Sequence, residues 1–469
     1  MKNKVIRTRF APSPTGFIHI GGIYSALLNF AYAKKNKGSF ILRLEDTDQK
    51  RLVKNAENQL YRGLTWIGLN PDEGPYRQSE RLEIYQKYAQ KLISQKKAYY
   101  CFCSEDRLEK IRKGCQKKGK PSMYDRHCRG LDSQLAQERL KKGEKAVVRM
   151  KIPENEIIMG QDLIRGKIKF DSRFIDDQII LKSNGFPTYH LAALVDDHLM
   201  KITHVVRGHE WLPSFPKHIL LYRYLKWKMP QFLHTPVLLD PAGGKLSKRK
   251  NHASLSYYRE KGFLPEAILN YLGQLGWSHP KEKEIFPLKE FIKYFDLKDV
   301  SPVSPTFDLD KLEWINGVYL RSKTNQGLAS LLRPFLPKMS RKQIQAASPL
   351  VKERIKILSE ASDLLEFVWS YPDWRKELMI KKVEQEMAKE MLKNMKIILE
   401  KYALEKTEIL QKKTLDLIKK KNWKVGDFFM ILRIAVCGKT ITPPILESLI
   451  LLGKKETIKR VNKALRKLQ

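Results

Sequence analysis

No run of about 18 apolar residues occurs in the sequence, so a membrane-spanning helix is not expected. The N-terminus, MKNKVIRTRFAPSP, lacks the apolar core and small-residue cleavage site of a secretory signal. Cysteine is scarce: Cys101, Cys103, Cys115, Cys128 and Cys437 are the only five. An odd count, with four falling inside 28 residues, fits a reducing cytoplasm and a local metal site better than a disulfide scaffold. Two familiar nucleotide loops are also missing. There is no G-x-G-x-x-G, which disfavours a dinucleotide dehydrogenase. The phosphate-cradling G-x-x-x-x-G-K-[ST] fails at Gly244–Lys245, because Leu239 stands at the first glycine and Leu246 at the magnesium-binding hydroxyl. Internal repeats and low-complexity linkers are absent too.

Acidic residues are in deficit, 51 against 89 basic ones, for a net charge of +38. Residues 326–469 carry 31 Lys+Arg and 16 Asp+Glu, a net +15, so the excess is spread along the chain and is not a tail. A polyanion such as a nucleic acid, touching most of the molecule, would use that charge through counterion release. A lysine-rich proteome accounts for the composition equally well. With 469 residues and 42% hydrophobic content, roughly two to four folded domains are expected.

Val5–Phe10 reads as a strand, and APSPTG after it as a turn, with Pro12 and Pro14 blocking helix. From Gly22 to about Asn36 the apolar residues Ile23, Leu27, Phe30 and Ala31 recur at helical spacing. SFILRLED follows as a second strand, and strand–helix–strand within about 45 residues predicts a parallel sheet. Residues from about 101 to 184 interrupt this rhythm. It resumes with TYHLAALVDDHL as helix and THVVRG as strand. Beyond about residue 325, RIKILSEASDLLEFVW, MLKNMKIILEKYALEK and TPPILESLILLG read as successive amphipathic helices. The expected fold class is α/β, a doubly wound parallel sheet with an insertion, followed by an all-helical half.

In such sheets ligands bind at the carboxyl ends of the strands. Arg9, Ala11 and Ser13 fall there, as do Glu45, Asp46 and Asp48, and Arg207, His209 and Glu210. Arginines beside carboxylates suit a zwitterionic ligand, since a guanidinium forks a carboxylate and a carboxylate takes an ammonium. Ion pairing among these residues is the plainer alternative for any single one. In PSPTGFIHIGG, Gly21 and Gly22 permit a close approach to the backbone at a helix start, where His19 either caps the helix or donates to phosphate. LDPAGGKLSKRK offers Lys245, Lys248, Arg249 and Lys250 around a Gly-Gly turn, either for a polyphosphate or as a solvated basic loop. Cys101-x-Cys103 with Cys128 after 24 residues has zinc-like spacing; a metal-free, reduced cluster is the alternative.

PSPTGFIHIGG resembles the first signature of class I aminoacyl-tRNA synthetases, and KLSKR the second. RFAPSPTG, RLEDTD, GPYRQSER, FPTYH, VVRGHEW and YYREKGFLPEAILNYLGQLGW together are similar to bacterial glutamyl-tRNA synthetases, from Val5 to about Gly317 and more weakly beyond. Two positions depart from the class-wide signatures: Gly22 stands where histidine is usual, and Arg249 where serine is usual. The resemblance implies a Rossmann-like catalytic domain in two halves, 1–100 and 185–250. Residues 101–184 would be an inserted acceptor-end-binding domain with a possible zinc site. A helical stem-contact region would span 251–325 and an all-helical anticodon-binding region 326–469. It implies catalytic roles for Lys248, Lys245 and His19, and ATP contacts from Pro12, His19, Gly21, Gly22 and Lys248. Glutamate would be held by Arg9, Ala11, Ser13, Glu45, Tyr189 and Arg207. Zn²⁺ would take Cys101, Cys103 and Cys128, with Tyr124, His127 or Cys115 as fourth ligand, because the usual histidine two places after the last cysteine is Gly130 here. ATP with Mg²⁺, L-glutamate and tRNA(Glu) are the implied partners of a cytoplasmic monomer with no membrane contact. A paralogue charging tRNA(Gln) and an idle RNA-binding relative stay open; intact Lys248, His19, Arg9, Glu45 and Arg207 speak against the second.

Overall fold

The computed structural model describes residues 5–119, 121–246, 254–372, 374 and 383–468. By packing, the chain forms two compact units: Met1–Tyr257 with Leu269–Asp308, and Tyr258–Ile268 with Leu309–Gln469.

The first unit is built on parallel strands. β1 (Arg7–Phe10) runs into α1 (Ile20–Lys35) and returns as β2 (Ser39–Leu44), which pairs parallel with β1 and with β3 (Glu73–Arg77). α1 starts two residues before the predicted Gly22, because the His19 imidazole caps it, its Nδ1 accepting the Gly21 N–H at 2.9 Å. A Cβ on residue 21 would stand 3.2 Å from that nitrogen, so glycine keeps the cap uncrowded. After α2 (Ala56–Ile67) and α3 (Leu82–Ser94) come β4 (Ala98–Cys101), α4 (Glu105–Lys117), α5 (Ser133–Lys141) and β5 (Val147–Met150). Then follow the antiparallel hairpin β6 (Ile157–Asp162) and β7 (Gly166–Asp171), and β8 (Ile179–Leu181). α6 (Tyr189–Leu199), β9 (His204–Gly208), α7 (Phe215–Tyr224) and β10 (Gln231–Thr235) complete the core.

β9 and β10 pair parallel, and β10 pairs parallel with β6 at Phe232–Asp162. The Thr203 N–H donates to the Arg7 carbonyl at 2.9 Å and the Arg7 N–H to Thr203 Oγ1 at 2.9 Å, so β1 and β9 lie side by side. The lateral order is therefore 3-2-1-9-10-6-7, winding outward in both directions from β1 and β9. That reversal is the switch point at which doubly wound sheets bind ligands. The parallel core strands are buried along both faces, as helix-covered strands must be: Phe40, Ile41, Leu42 and Leu44 on β2, Val205 and Val206 on β9.

Two sequence expectations need correction. Residues 101–184 do not form one separate body. β6 and β7 extend the core sheet, while β4, β5 and β8 form their own antiparallel sheet. The burial of β6 alternates, with Ile158, Gly160 and Asp162 inward, a period-two pattern that Gly160 and the polar Asp162 mask in the sequence. In the second unit, RIKILSEASDLLEFVW holds only the short helix Glu360–Leu365 and one further tight turn at Glu366–Val368. The other helical predictions appear as Gln385–Lys401 and Ile445–Leu452. The buried Arg460 gathers chain ends of this unit, its Nη1 donating to the carbonyls of Phe367 and Val436 at 2.8 and 2.9 Å. Asn316 does the same for Tyr258–Ile268, accepting the Leu264 N–H at 2.7 Å and donating to the Lys356 carbonyl at 2.6 Å.

Candidate active site

A cavity of about 560 Å³ opens at the carboxyl ends of β1 and β9. Arg9, Ala11, Pro12, Ser13, His19, Gly21, Gly22, Glu45, Tyr189, Arg207 and Lys245 all line it. Of the residues proposed from sequence for catalysis, glutamate or ATP, Lys248 alone is not placed there, and it lies outside the described residues, as do Arg249 and Lys250.

Beneath the cavity is a network of buried charges. Asp197, on α6, accepts from Arg9 Nε at 3.0 Å and from Arg43 Nη1 at 2.7 Å through the same oxygen, Oδ1. Arg43, fully buried on β2, reaches back to Glu45 Oε1 at 3.0 Å. Asp196 turns the other way, accepting from Gln78, Arg81 and Tyr85 at 3.0, 2.9 and 2.8 Å. Burial pushes the Glu45 carboxyl above its usual value, against the pull of Arg43 and then Arg9. Asp197 is held below the usual value although burial opposes it, because Arg9 and Arg43 outweigh burial together.

Arg207 is only 5% exposed, yet no carboxylate among the described residues lies within ion-pair distance of it. Its Nε donates to His234 Nε2 at 3.0 Å, its Nη1 to the Tyr189 hydroxyl at 2.9 Å and to His218 Nδ1 at 3.2 Å, and its Nη2 to the Trp211 carbonyl at 3.4 Å. His234 is the register partner of Arg207 in the β9–β10 ladder and turns its Nδ1 to Asp162 Oδ2 at 2.8 Å. Burial, together with the Arg207 cation, keeps these imidazoles neutral: His234 falls to about 4 and His218 well below the ordinary value. Burial first, then Lys217 and Arg207, lower His190 to about 3.

The sequence does not announce Arg43, Asp162, Asp197, His218 or His234. One signal was available. Adjacent aspartates inside the apolar run LAALVDDHL cannot both face solvent on a buried helix, so they needed cationic partners.

In the insertion, Cys101, Cys103 and Cys128 bring their sulfurs within 4.8 Å of one another. The Tyr124 hydroxyl lies 3.3 Å from Cys101 Sγ and 3.4 Å from Cys103 Sγ, and accepts the Cys128 N–H at 2.9 Å. His127 and Cys115 do not join this group among the described residues. The Cys103 thiol is pushed up to about 11, first by burial and then by the neighbouring thiols, which is the crowding a bound cation would relieve.

Residues 5–314 match the model of the tRNA synthetases class I (E and Q) catalytic domain, and residues 327–465 that of an anticodon binding domain. The chain belongs to the class I aminoacyl-tRNA synthetases, in the branch whose members handle glutamate and glutamine. Within it, the chain is 42% identical to the glutamate–tRNA ligase of Acinetobacter baylyi over 470 residues, covering 98% of this chain and 93% of that one. It is also 42% identical to the glutamate–tRNA ligase of Finegoldia magna, covering 98% and 99%. Its fold matches a crystal structure of a glutamate tRNA ligase from Elizabethkingia meningosepticum in complex with its amino acid, with TM-score 0.89, 34% identity and coverage of 99% and 100%.

Proposed function

We propose that this protein is a glutamate–tRNA ligase, activating glutamate with ATP and passing it to the 3′ end of tRNA(Glu). The observation that carries this reading is Arg207, a buried guanidinium with neutral partners only, opening on a cavity that also holds Arg9 and Glu45. A buried cation without a counterion is costly unless the ligand supplies one. Glutamate brings two carboxylates for Arg9 and Arg207 and an ammonium for Glu45. Ser13 and the Tyr189 hydroxyl orient it, and the Ala11 backbone borders it.

Glutamate's α-carboxylate oxygen attacks the α-phosphorus of ATP, the bond to the bridging oxygen breaks, and pyrophosphate leaves. The ribose hydroxyl at the tRNA 3′ end then attacks the activated carbonyl, loses its proton and releases AMP. No protein nucleophile is needed; positioning and charge stabilisation carry both steps. His19 uses Nδ1 for its helix cap, which leaves Nε2 as the protonated nitrogen that can donate to a phosphate. Lys245 and Lys248 neutralise the departing pyrophosphate, and Mg²⁺, when bound, shares that charge. Pro12, Gly21 and Gly22 form the wall against which the nucleotide lies.

The +15 of residues 326–469 and their match to an anticodon binding domain support anticodon reading by the helical unit. The part of residues 101–184 outside the β6–β7 hairpin would grip the acceptor end, and 251–325 the stem. The thiolate set of Cys101, Cys103 and Cys128 fits Zn²⁺, with Tyr124 better placed than His127 or Cys115 as fourth ligand. Burial raises the Tyr124 hydroxyl, so it would ligate as phenolate only with the cation present. None of the five cysteines is paired in a disulfide, which suits the cytoplasmic setting where we place the protein as a monomer.

The test is aminoacylation of purified tRNA(Glu) and tRNA(Gln) with glutamate and with glutamine, each tRNA also carrying the other's anticodon. Glutamyl-tRNA(Glu) is expected, weakened by the anticodon swap. Glutamylation of tRNA(Gln) alone would move the protein to the paralogue reading, and no aminoacylation would refute the ligase.

A further inference from the structure

The arginines in and beneath this cavity are held in two different ways. Arg9 and Arg43 share the carboxylate of Asp197. Arg207 is just as buried but is held by imidazoles, a phenol and a carbonyl. A guanidinium only donates, so His234 Nε2 and His218 Nδ1 must both be acceptors. The remaining proton of His234 sits on Nδ1 and goes to Asp162 Oδ2 at 2.8 Å. Asp162 is the nearest acid in this chain of contacts, one imidazole removed from the guanidinium. Its oxygens also accept the N–H groups of His234, Ile164 and Arg165 at 2.9, 3.1 and 3.1 Å.

We propose that His218 and His234 are specificity-determining positioning residues, which fix the Arg207 guanidinium while leaving its charge uncompensated, so that this end of the cavity selects a carboxylate over the matching amide. The proposal rests on the reading that Arg207 receives the side-chain carboxylate of glutamate, the one group that glutamine replaces with an amide. An acidic side chain in place of either imidazole would satisfy the same N–H groups and neutralise the cation. The incoming carboxylate would then meet a paired guanidinium and lose its hydration without gaining a counterion. With imidazoles there, an amide ligand leaves a buried cation unpaired and is rejected for that reason. The neutral holder therefore sets which ligand is preferred, and the orientation of Arg207 alone does not.

An isosteric pair at residue 218 separates charge from shape. His218→Asn puts a neutral oxygen near the position of Nδ1, and His218→Asp puts a charged one in the same place. Pyrophosphate exchange, with tRNA present, reads KM for glutamate and for ATP. We expect His218→Asn to keep the glutamate KM within about threefold, and His218→Asp to raise it by roughly thirtyfold or more with the ATP KM unchanged, the scale of one buried ion pair lost to a competitor. His218→Asp should also narrow the preference for glutamate over glutamine. Equal glutamate KM values in the Asn and Asp variants would overturn the proposal. If the Asp variant does not fold, His218→Leu keeps the bulk without an acceptor, and a glutamate KM equal to that of His218→Asn would overturn it as well. Arg207→Ala separates the two levels: an unchanged glutamate KM there refutes the carboxylate role of Arg207 itself. A raised KM there, with equal Asn and Asp variants, refutes only the part played by the imidazoles.

Discussion

Replacing Asp197 with asparagine keeps the shape of the side chain and removes one buried charge. Its Oδ1 sits 3.0 Å from Arg9 Nε and 2.7 Å from Arg43 Nη1, and all three side chains are at most 5% exposed. At an effective dielectric of about 20, each contact is worth roughly 5–6 kcal/mol of gross Coulomb energy, most of which offsets the cost of burying the charges. The net loss is governed by what each arginine keeps. Arg43 retains the anions Glu45 at 3.0 Å and Asp196 at 4.0 Å. Arg9 has no second ion pair among the described residues and keeps only neutral acceptors, the amide oxygen of residue 197 and the Val206 carbonyl at 3.3 Å. One arginine is therefore nearly orphaned and the other is not, which places the cost near the lower end of the range for a broken buried pair, about 3 kcal/mol.

Two assays are needed, because the chain has two compact units and its unfolding need not be two-state. Hydrogen exchange on β1, β2 and α6 reads the loss where it occurs, and glutamate activation reads the displacement of Arg9 and Glu45. Asp197 is held below its usual pKa, so its contribution is complete above the unfolded value and fades only as pH falls through the lower folded one. The difference between Asp197→Asn and the native protein should thus be constant from pH 8 to 5 and shrink only in stronger acid. A loss below about 1 kcal/mol, or one that vanishes near pH 6, would show that the network does not depend on that charge.

Lys248→Ala should lower tRNA-dependent pyrophosphate exchange by roughly a hundredfold or more with little change in glutamate affinity, since one electrostatic donor to the leaving group is lost. Native rates would reduce the basic loop to a solvated turn. Protein purified without chelator should carry about one zinc per chain, and a Cys101/Cys103 double serine variant none; zinc retained in that variant would place the metal elsewhere. His234 and His190 are depressed to about 4 and 3, so the folded catalytic unit binds fewer protons than the unfolded chain. Its stability should be full above about pH 7 and decline from about 6.5 towards 4, by up to about 1.4 kcal/mol per pH unit for each histidine. A flat melting profile from pH 8 to 5 would contradict neutral burial of these rings.

What the sequence reveals of the site, and what it hides, follows from the kind of contact involved. Arg9, Glu45 and Arg207 stand out because each ends a strand, and strand ends are marked by apolar runs breaking into charge. Asp197 and Arg43 do not stand out, because the pairing between α6 and β2 spans 154 residues and no local period encodes it. From sequence the β6–β7 hairpin falls in the insertion for a related reason: its single ladder pair with β10, Asp162 opposite Phe232, is set by packing against a strand 70 residues later. Asp162 carries the consequence. From sequence it is one acid among 51, at the end of a short polar strand. In the fold it is fully buried, fixes the tautomer of His234, and through that ring decides that Arg207 is held without being neutralised. A strand that reads as peripheral in the sequence therefore supplies the outermost support of a cavity-lining cation, and the specificity we propose for the cavity depends on a register that only the folded sheet defines.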